Sequence, residues 1–426
     1  MSADAQKTVG ILVGGGPAPG LNGVIHAVTI TAINRGYRVI GIKEGFKYLV
    51  EGQPQFVPLS IADVSRIHLK GGTILKTSRA NPTGSEETLR NTVNALQQAG
   101  IGYLVSTGGD DTAFSAYTVS RFAQTKMGVD LRSVHVPKTI DNDLPLPEGV
   151  PTFGYETARH VGTQIITNIM EDAKSTVRWY IIVAMGRKAG HLALGIGKSA
   201  GTTITLIPEE WQGEQIRLQH VADLISGSII KRLANDQGYG VALVAEGVME
   251  LMDPSDLAFI ETIERDEHGH PRMAEINSAA IIKRKVRSTL AELGIKITLV
   301  DKEVGYELRC ADPCAFDIDY TRTLGQAAVE FLDQGKSNAM ITIQQNQIVP
   351  IPYDELMDPE TGRTEVRLVH VDSLTYRSAR NFMVRLGRQD LENEALLSKM
   401  AARTNLTPDD FIKRFGYLAD MRPRPF

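Results

Sequence analysis

Cysteine is nearly absent: Cys310 and Cys314 are the only two in 426 residues. Two are too few for a disulfide framework, which points to a reducing compartment and to the cytoplasm. A zinc half-site built from this pair, with Asp312 and Pro313 between them, has no second pair to close its shell, so both read as ordinary thiols. Also missing is any apolar run near the roughly 20 residues of a membrane span, and the polar stretch Met1 to Lys7 carries no secretory h-region. A soluble protein with no membrane partner is expected. Nor is there an excess of positive charge: Lys plus Arg is 46 against 50 Asp plus Glu, a net charge of -4. Such a balance gives no overall field to attract nucleic acid, so an anionic ligand must meet a local basic pocket. Low-complexity tracts, short repeats and a flexible linker between lobes are lacking as well.

What is there is globular: 42% hydrophobic and 23% charged residues in a chain long enough for two or three packed units. Val9 to Val13 is a short apolar run ending in glycines, followed by a helical stretch Gly20 to Arg35 and a strand Arg38 to Ile42. That is the opening of a parallel sheet. The alternation returns with helix Glu86 to Ala99, strand Tyr103 to Ser106, helix Thr112 to Gln124 and strand Val134 to Val136. Strands Trp179 to Ala184 and Gly240 to Ala245 imply a second lobe beginning near Pro151. The fold class is therefore α/β, two Rossmann-like lobes with largely parallel sheets and an interlobe cleft. The segment Leu257 to Val304 reads as helical, with Lys283, Arg284, Lys285 and Arg287 on a solvated face. His268 and His270 flank Gly269 in a turn but have no evident third ligand.

Three strand ends run into loops that carry chemistry. The first, Gly14-Gly15-Gly16-Pro17-Ala18-Pro19-Gly20-Leu21-Asn22, either cradles an oxyanion at a helix start or is a tight turn. It is no dinucleotide fingerprint, because the third glycine arrives one residue late at Gly20. Gly197-Lys198-Ser199 is no Walker A ending either, since Leu192 stands where that motif needs glycine. In the second loop, Ser106 to Thr112, Asp110 reads as a magnesium ligand, with helix capping by Asp110 or Asp111 as the alternative. The third, Pro137-Lys138-Thr139-Ile140-Asp141-Asn142-Asp143, offers a counter-charge, a hydroxyl and two carboxylates within six residues. Their shared position at strand ends points to one phosphate-transfer cleft.

These residues resemble the phosphofructokinase family. The likeness runs over roughly residues 8 to 335, through Gly71-Gly72-Thr73, Thr77-Ser78-Arg79, Val183 to Arg187, Val244 to Gly247 and Tyr306 to Arg309. Singly, Met185 reads as core, Arg187 as a surface cation and Tyr306 as a packed aromatic; their order along the chain outweighs that. The resemblance implies that Asp141 is the base for the 1-hydroxyl of fructose 6-phosphate, with Thr139 and Ile140 against the same sugar end. It implies Mg²⁺ on Asp110 with Asp143 assisting, and donor phosphates at Gly15, Gly16 and Arg79. Met185, Gly186, Arg187 and Glu246 match the sugar-phosphate segment. Tyr306 and Arg309 match the pair that grips the 6-phosphate, although the ATP-using branch usually has histidine at the Tyr306 position. Arg178 resembles an arginine donated across a subunit contact, which implies a homodimer or homotetramer.

Asp111 and Lys138 separate the donors, because ATP-using members carry glycine at both positions. A carboxylate at Asp111 would stand where the α-phosphate of ATP needs room. Two unit charges about 4 Å apart at an effective dielectric of about 20 repel by about 4 kcal/mol, roughly three decades of affinity. Pyrophosphate avoids that clash, and Lys138 adds a cation for it. The expectation is reversible, Mg-dependent phosphoryl transfer from pyrophosphate to fructose 6-phosphate, giving fructose 1,6-bisphosphate and phosphate. An ATP-dependent enzyme of the same fold and a non-catalytic sugar-phosphate sensor are the alternatives. His26 and Ile30 stand where allosteric relatives carry effector-binding arginines, so nucleotide control is not expected. The resulting domain plan is a phosphate-donor lobe over 1–150 with a returning segment near 310–335, a sugar-phosphate lobe over 151–309, and an accessory region over 336–426. That last region includes Asp354 to Thr364 and a charged helix Asp390 to Arg403.

Overall fold

The computed structural model describes residues 7–256, 277–356 and 364–420. Among them the strands are, in chain order, β1 (Thr8–Val13), β2 (Arg38–Ile42), β3 (Phe56–Pro58), β4 (Ile101–Gly108), β5 (Arg132–Thr139), β6 (Phe153–Gly154), β7 (Trp179–Ala184), β8 (Ile204–Leu206), β9 (Gly240–Ala245), β10 (Leu299–Val304), β11 (Ala339–Gln344) and β12 (Gln347–Pro352). The chain forms two compact units, Met1–Ala158 with Tyr306–Arg367, and Arg159–Gly305 with Leu368–Phe426.

In the first unit the sheet order is β12-β11-β5-β4-β1-β2-β3, with β6 beside β5. Its central pairings are parallel, and only β2 with β3 and β11 with β12 run antiparallel. The alternation along β1 explains why it reads as an unbroken apolar run. Val9, Ile11 and Val13 join the core that holds Leu21, Val24 and Leu324, whereas Leu12 joins Leu96, Val119 and Phe122. A strand covered on both faces has no solvent side to mark with polar residues. In the second unit the order is β10-β7-β9-β8, all parallel. Its central strand β7 begins at Trp179, which is fully buried.

Several expectations need correction. Of Leu257 to Val304, only Ser278–Glu292 is a described helix, and Leu299–Val304 is β10, paired in parallel with β7. His268 and His270 lie outside the described residues. The helix expected over Asp390 to Arg403 is two, Arg388–Glu392 and Glu394–Ala401, because Asn393 caps the second by accepting from the Leu396 amide at 3.1 Å. The domain plan also changes. The first chain crossing lies at Ala158/Arg159, inside the helix Tyr155–Thr176, and the returning segment is Tyr306–Arg367. That segment is longer than 310–335 because the helix Ala315–Asp333 leads into β11, which extends the first sheet beside β5. The rest of the expected accessory region belongs to the second unit. There Arg385, 8% exposed, forks onto Glu210 at 2.6 and 2.7 Å, and Arg414 forks onto the fully buried Asp223 at 2.6 Å twice. Among the described residues no helix is long and apolar enough to cross a membrane.

Candidate functional site

The first unit brings three loops together because β1, β4 and β5 are parallel neighbours, so their carboxyl ends leave the sheet on one edge. After β1, the Gly14 amide donates to Thr107 O and the Gly15 amide to Ser78 O, both at 2.9 Å. A Cβ on Gly14 would stand 2.4 Å from Thr112 Oγ1, so only glycine lets this loop approach the helix Asp110–Lys126. Gly15 has φ 76, in the left-handed region. Its amide is engaged within the loop's own structure. Thr77 Oγ1 closes the loop by donating to Gly15 O at 2.7 Å.

Lys138, the penultimate residue of β5, is 6% exposed, and its Nζ donates to Gly16 O at 2.6 Å. Burial pushes its pKa down from 10.5 to about 8; the Asp141 charge opposes that, the Arg309 charge reinforces it, and Asp143 and Asp110 oppose it. These five side chains are thus electrically one cluster. Asp141 is 9% exposed, and its amide donates to Thr139 Oγ1 at 3.0 Å. Ile140 is buried between them, and Asn142 has φ 57. Asp110 and Asp111 occupy the first turn of the helix Asp110–Lys126, where the backbone dipole favours a carboxylate; Asp110 is half-buried and Asp111 exposed. Arg79 is exposed.

Arg309 lies in the first unit, beside the first glycine loop. A Cβ on Gly16 would lie 3.5 Å from its guanidinium carbon, so Arg309 flanks the Gly16–Lys138 contact. Its guanidinium lies 4.8 Å from the ring centroid of Tyr306, which is 59% exposed.

The second unit gathers another set at the carboxyl end of β7. The Met185 amide donates to Val304 O at 2.9 Å, the Gly186 amide to Glu246 Oε2 at 3.1 Å, and the Glu246 amide to Ala184 O at 2.9 Å. Gly186 has φ 145, Glu246 is 7% exposed and Arg187 is half-buried. Arg178 precedes β7 and so lies at the strand's other end, about 20 Å away at about 3.3 Å per residue. It does not join this set within one chain; its nearest carboxylate is Asp172 at 4.0 Å.

Sequence reasoning missed His135. It is buried in β5, its Nε2 2.9 Å from Gly108 O and its Nδ1 2.8 Å from Ser106 Oγ. Burial pushes its pKa down to about 3, so the ring is neutral. A carbonyl only accepts, so the proton sits on Nε2 and Ser106 donates to Nδ1. This fixes the strand end that launches Gly109 and Asp110. A polar pair within a strand was the one available signal.

For a divalent cation, the donor chemistry suits Mg²⁺. Asp110 and Asp143 are hard oxygen donors acting on the same ammonium. Among the described residues no three His, Cys, Asp or Glu converge, but Mg²⁺ takes one or two carboxylates and completes its shell with water and substrate phosphate. Cys314 is half-buried and its Sγ accepts from Thr157 Oγ1 at 3.4 Å, while Cys310 is exposed.

The family model for phosphofructokinase matches residues 8–332. The chain is 52% identical over 421 residues to the pyrophosphate–fructose 6-phosphate 1-phosphotransferase of Thermotoga maritima, covering 97% of this chain and 99% of that one. It is 48% identical to the Naegleria fowleri protein of the same name, covering 96% and 95%. A solved pyrophosphate-dependent phosphofructokinase from Nitrosospira multiformis shares the fold at TM-score 0.67 with 18% identity, covering 90% of this chain and 93% of that one.

Proposed function

Since this chain belongs to the phosphofructokinase family, we propose that it transfers a phosphoryl group reversibly between pyrophosphate and the 1-hydroxyl of fructose 6-phosphate, giving fructose 1,6-bisphosphate and phosphate. The observation that carries the donor is Lys138: a buried ammonium touching the first glycine loop, with Arg309 beside it. A desolvated ammonium with a half-buried guanidinium beside it at a strand-end loop forms a grip for a compact polyanion. The exposed Asp111 in the adjacent helix turn repels a longer polyphosphate chain.

Asp141 acts as the base. It removes the proton from the 1-hydroxyl as the oxygen attacks the nearer phosphorus, and returns it in the reverse direction. Lys138, Arg309 and Arg79 spread the charge that develops on the transferring group. Asp110 and Asp143 would hold Mg²⁺, which when bound offsets the charge of the diphosphate. On the sugar side, Thr139 and Ile140 position the reacting end, Met185, Gly186, Arg187 and Glu246 hold the ring hydroxyls and phosphate, and Tyr306 adds a contact. Arg178 would serve a neighbouring subunit's sugar, which makes the working form a homodimer or homotetramer without nucleotide effectors. The lack of a crossing helix among the described residues and the scarcity of cysteine fit a cytoplasmic enzyme.

The test compares pyrophosphate with ATP on wild type and on the Asp111→Gly, Lys138→Gly double variant. Wild type should use pyrophosphate and discriminate against ATP by about three decades, from the roughly 4 kcal/mol repulsion above. The double variant should lose pyrophosphate use and gain ATP use. Wild type that prefers ATP would overturn the donor assignment.

A further inference from the structure

We infer that Arg367 is a positioning residue for Asp141: a single guanidinium, contributed from beyond the family-matched 8–332, holds the turn that carries the base. The inference rests on reading Asp141 as the base.

Arg367 directs its amide and its guanidinium onto one loop. Its own amide donates to Asp143 O at 2.8 Å, and Nε and Nη2 donate to Asn142 O at 3.1 and 3.0 Å. Nη2 also reaches Asn142 Oδ1 at 2.5 Å, and Nη1 reaches Val150 O at 2.8 Å and Leu146 O at 3.2 Å. The bonds therefore span the turn from Asn142 to Val150. They concentrate on the one residue between Asp141 and Asp143.

That residue is where the backbone is least comfortable. Asn142 has φ 57, a left-handed conformation that a side chain with a Cβ adopts at a cost, and that asparagine tolerates better than most. The conformation turns the chain sharply, so the Asp141 and Asp143 carboxylates leave the backbone in directions fixed by this one residue. Two groups hold it. Asn142 Oδ1 accepts from the Thr152 amide at 3.0 Å on one side, and Arg367 grips both Oδ1 and the carbonyl on the other. Without the guanidinium, the carbonyls of Asn142 and Val150 lose these donors, and Asn142 is free to relax toward a right-handed conformation that re-aims Asp141.

Only arginine fits this task. Its planar fork presents several fixed N–H directions at once, whereas a lysine ammonium at the same reach could serve one or two of these carbonyls. Burial lowers the Arg367 pKa from its ordinary value, with the Asp143 charge opposing, yet a guanidinium keeps its proton throughout the working range. Arg367 touches no reacting atom in this account; it acts through the loop.

The experiment uses the full-length enzyme with Arg367→Met, Arg367→Lys, Arg367→Ala and, as a reference, Asp141→Asn. For each, kcat and the KM values for pyrophosphate and fructose 6-phosphate are measured, with circular dichroism to confirm folding. A displaced base should lower kcat about a hundredfold in the Met and Ala variants while both KM values stay within about threefold. Lysine should restore part of the loss, and added guanidinium ion should raise kcat of the folded Ala variant by filling the vacated fork. Wild-type kcat in Arg367→Met would overturn the inference. So would a loss confined to KM, or an Ala variant that folds and is not rescued. Should Met and Ala fail to fold, the lysine variant decides: a kcat deficit at unchanged KM supports positioning, and wild-type kcat overturns it. Near-normal turnover in Asp141→Asn would instead sink the base assignment, whatever the Arg367 variants do.

Discussion

The two candidate regions are built on different physics. At the carboxyl ends of β1, β4 and β5, charge dominates: Lys138 is stripped of water, and three carboxylates and Arg309 set its proton affinity. At the end of β7, backbone geometry dominates: Gly186 at φ 145 hands its amide to the buried Glu246, whose own amide returns to Ala184. On the proposed reading, the first region meets a compact polyanion and a moving proton, and the second meets the sugar phosphate through fixed donors and acceptors. Substitutions should therefore separate into losses of turnover or donor use and losses of sugar affinity.

The largest effect should come from Asp141→Asn, which keeps shape and removes the base. Turnover should fall about 10²- to 10⁴-fold with the fructose 6-phosphate KM nearly unchanged, read by steady-state kinetics. A shift in KM alone would blur the division between the regions. Next, Lys138→Met should lower kcat/KM for pyrophosphate about 10²- to 10³-fold while sparing the sugar KM. On the other side, Glu246→Ala leaves the Gly186 amide without this acceptor and should raise the sugar KM about tenfold, with the pyrophosphate KM unmoved. The smallest effect should be Gly305→Ala. The new Cβ would meet Met185 Cε at 2.8 Å and Cβ at 2.9 Å, so Met185 must shift and the sugar KM should rise a few-fold, on the order of the 1–3 kcal/mol of local overpacking at most.

Legibility in the sequence follows the same line. β2, β7 and β9 were readable to the residue because each is mainly apolar and abuts a charged residue, Lys43, Arg178 and Glu246 respectively. β3 and β8, three residues each, are too short to show a period. The β11–β12 hairpin carries a signal in its turn residues. Gln345 and Asn346, at φ 49 and 61, form a two-residue turn between strands in register Gln344↔Gln347. Candidate residues were legible where function is written in consecutive positions, as in Lys138 to Asp143. Arg309 beside Gly16 and Arg367 on Asn142 were not, since each contact joins segments more than two hundred residues apart through geometry that no spacing records.

The central claim is that a buried, charged Lys138 meets the inorganic donor, and its pKa exposes that claim to a direct measurement. In the free enzyme the ammonium is present below about pH 8 and is lost as the pH rises through that value, because burial has lowered it from 10.5. The measurement is kcat/KM for pyrophosphate between pH 6 and about 10, in wild type and in Lys138→Arg, which keeps its proton throughout. Wild type should decline above about pH 8, and the arginine variant, whatever its absolute rate, should lack that limb. An alkaline limb identical in both proteins, or a flat profile in wild type, would contradict the account.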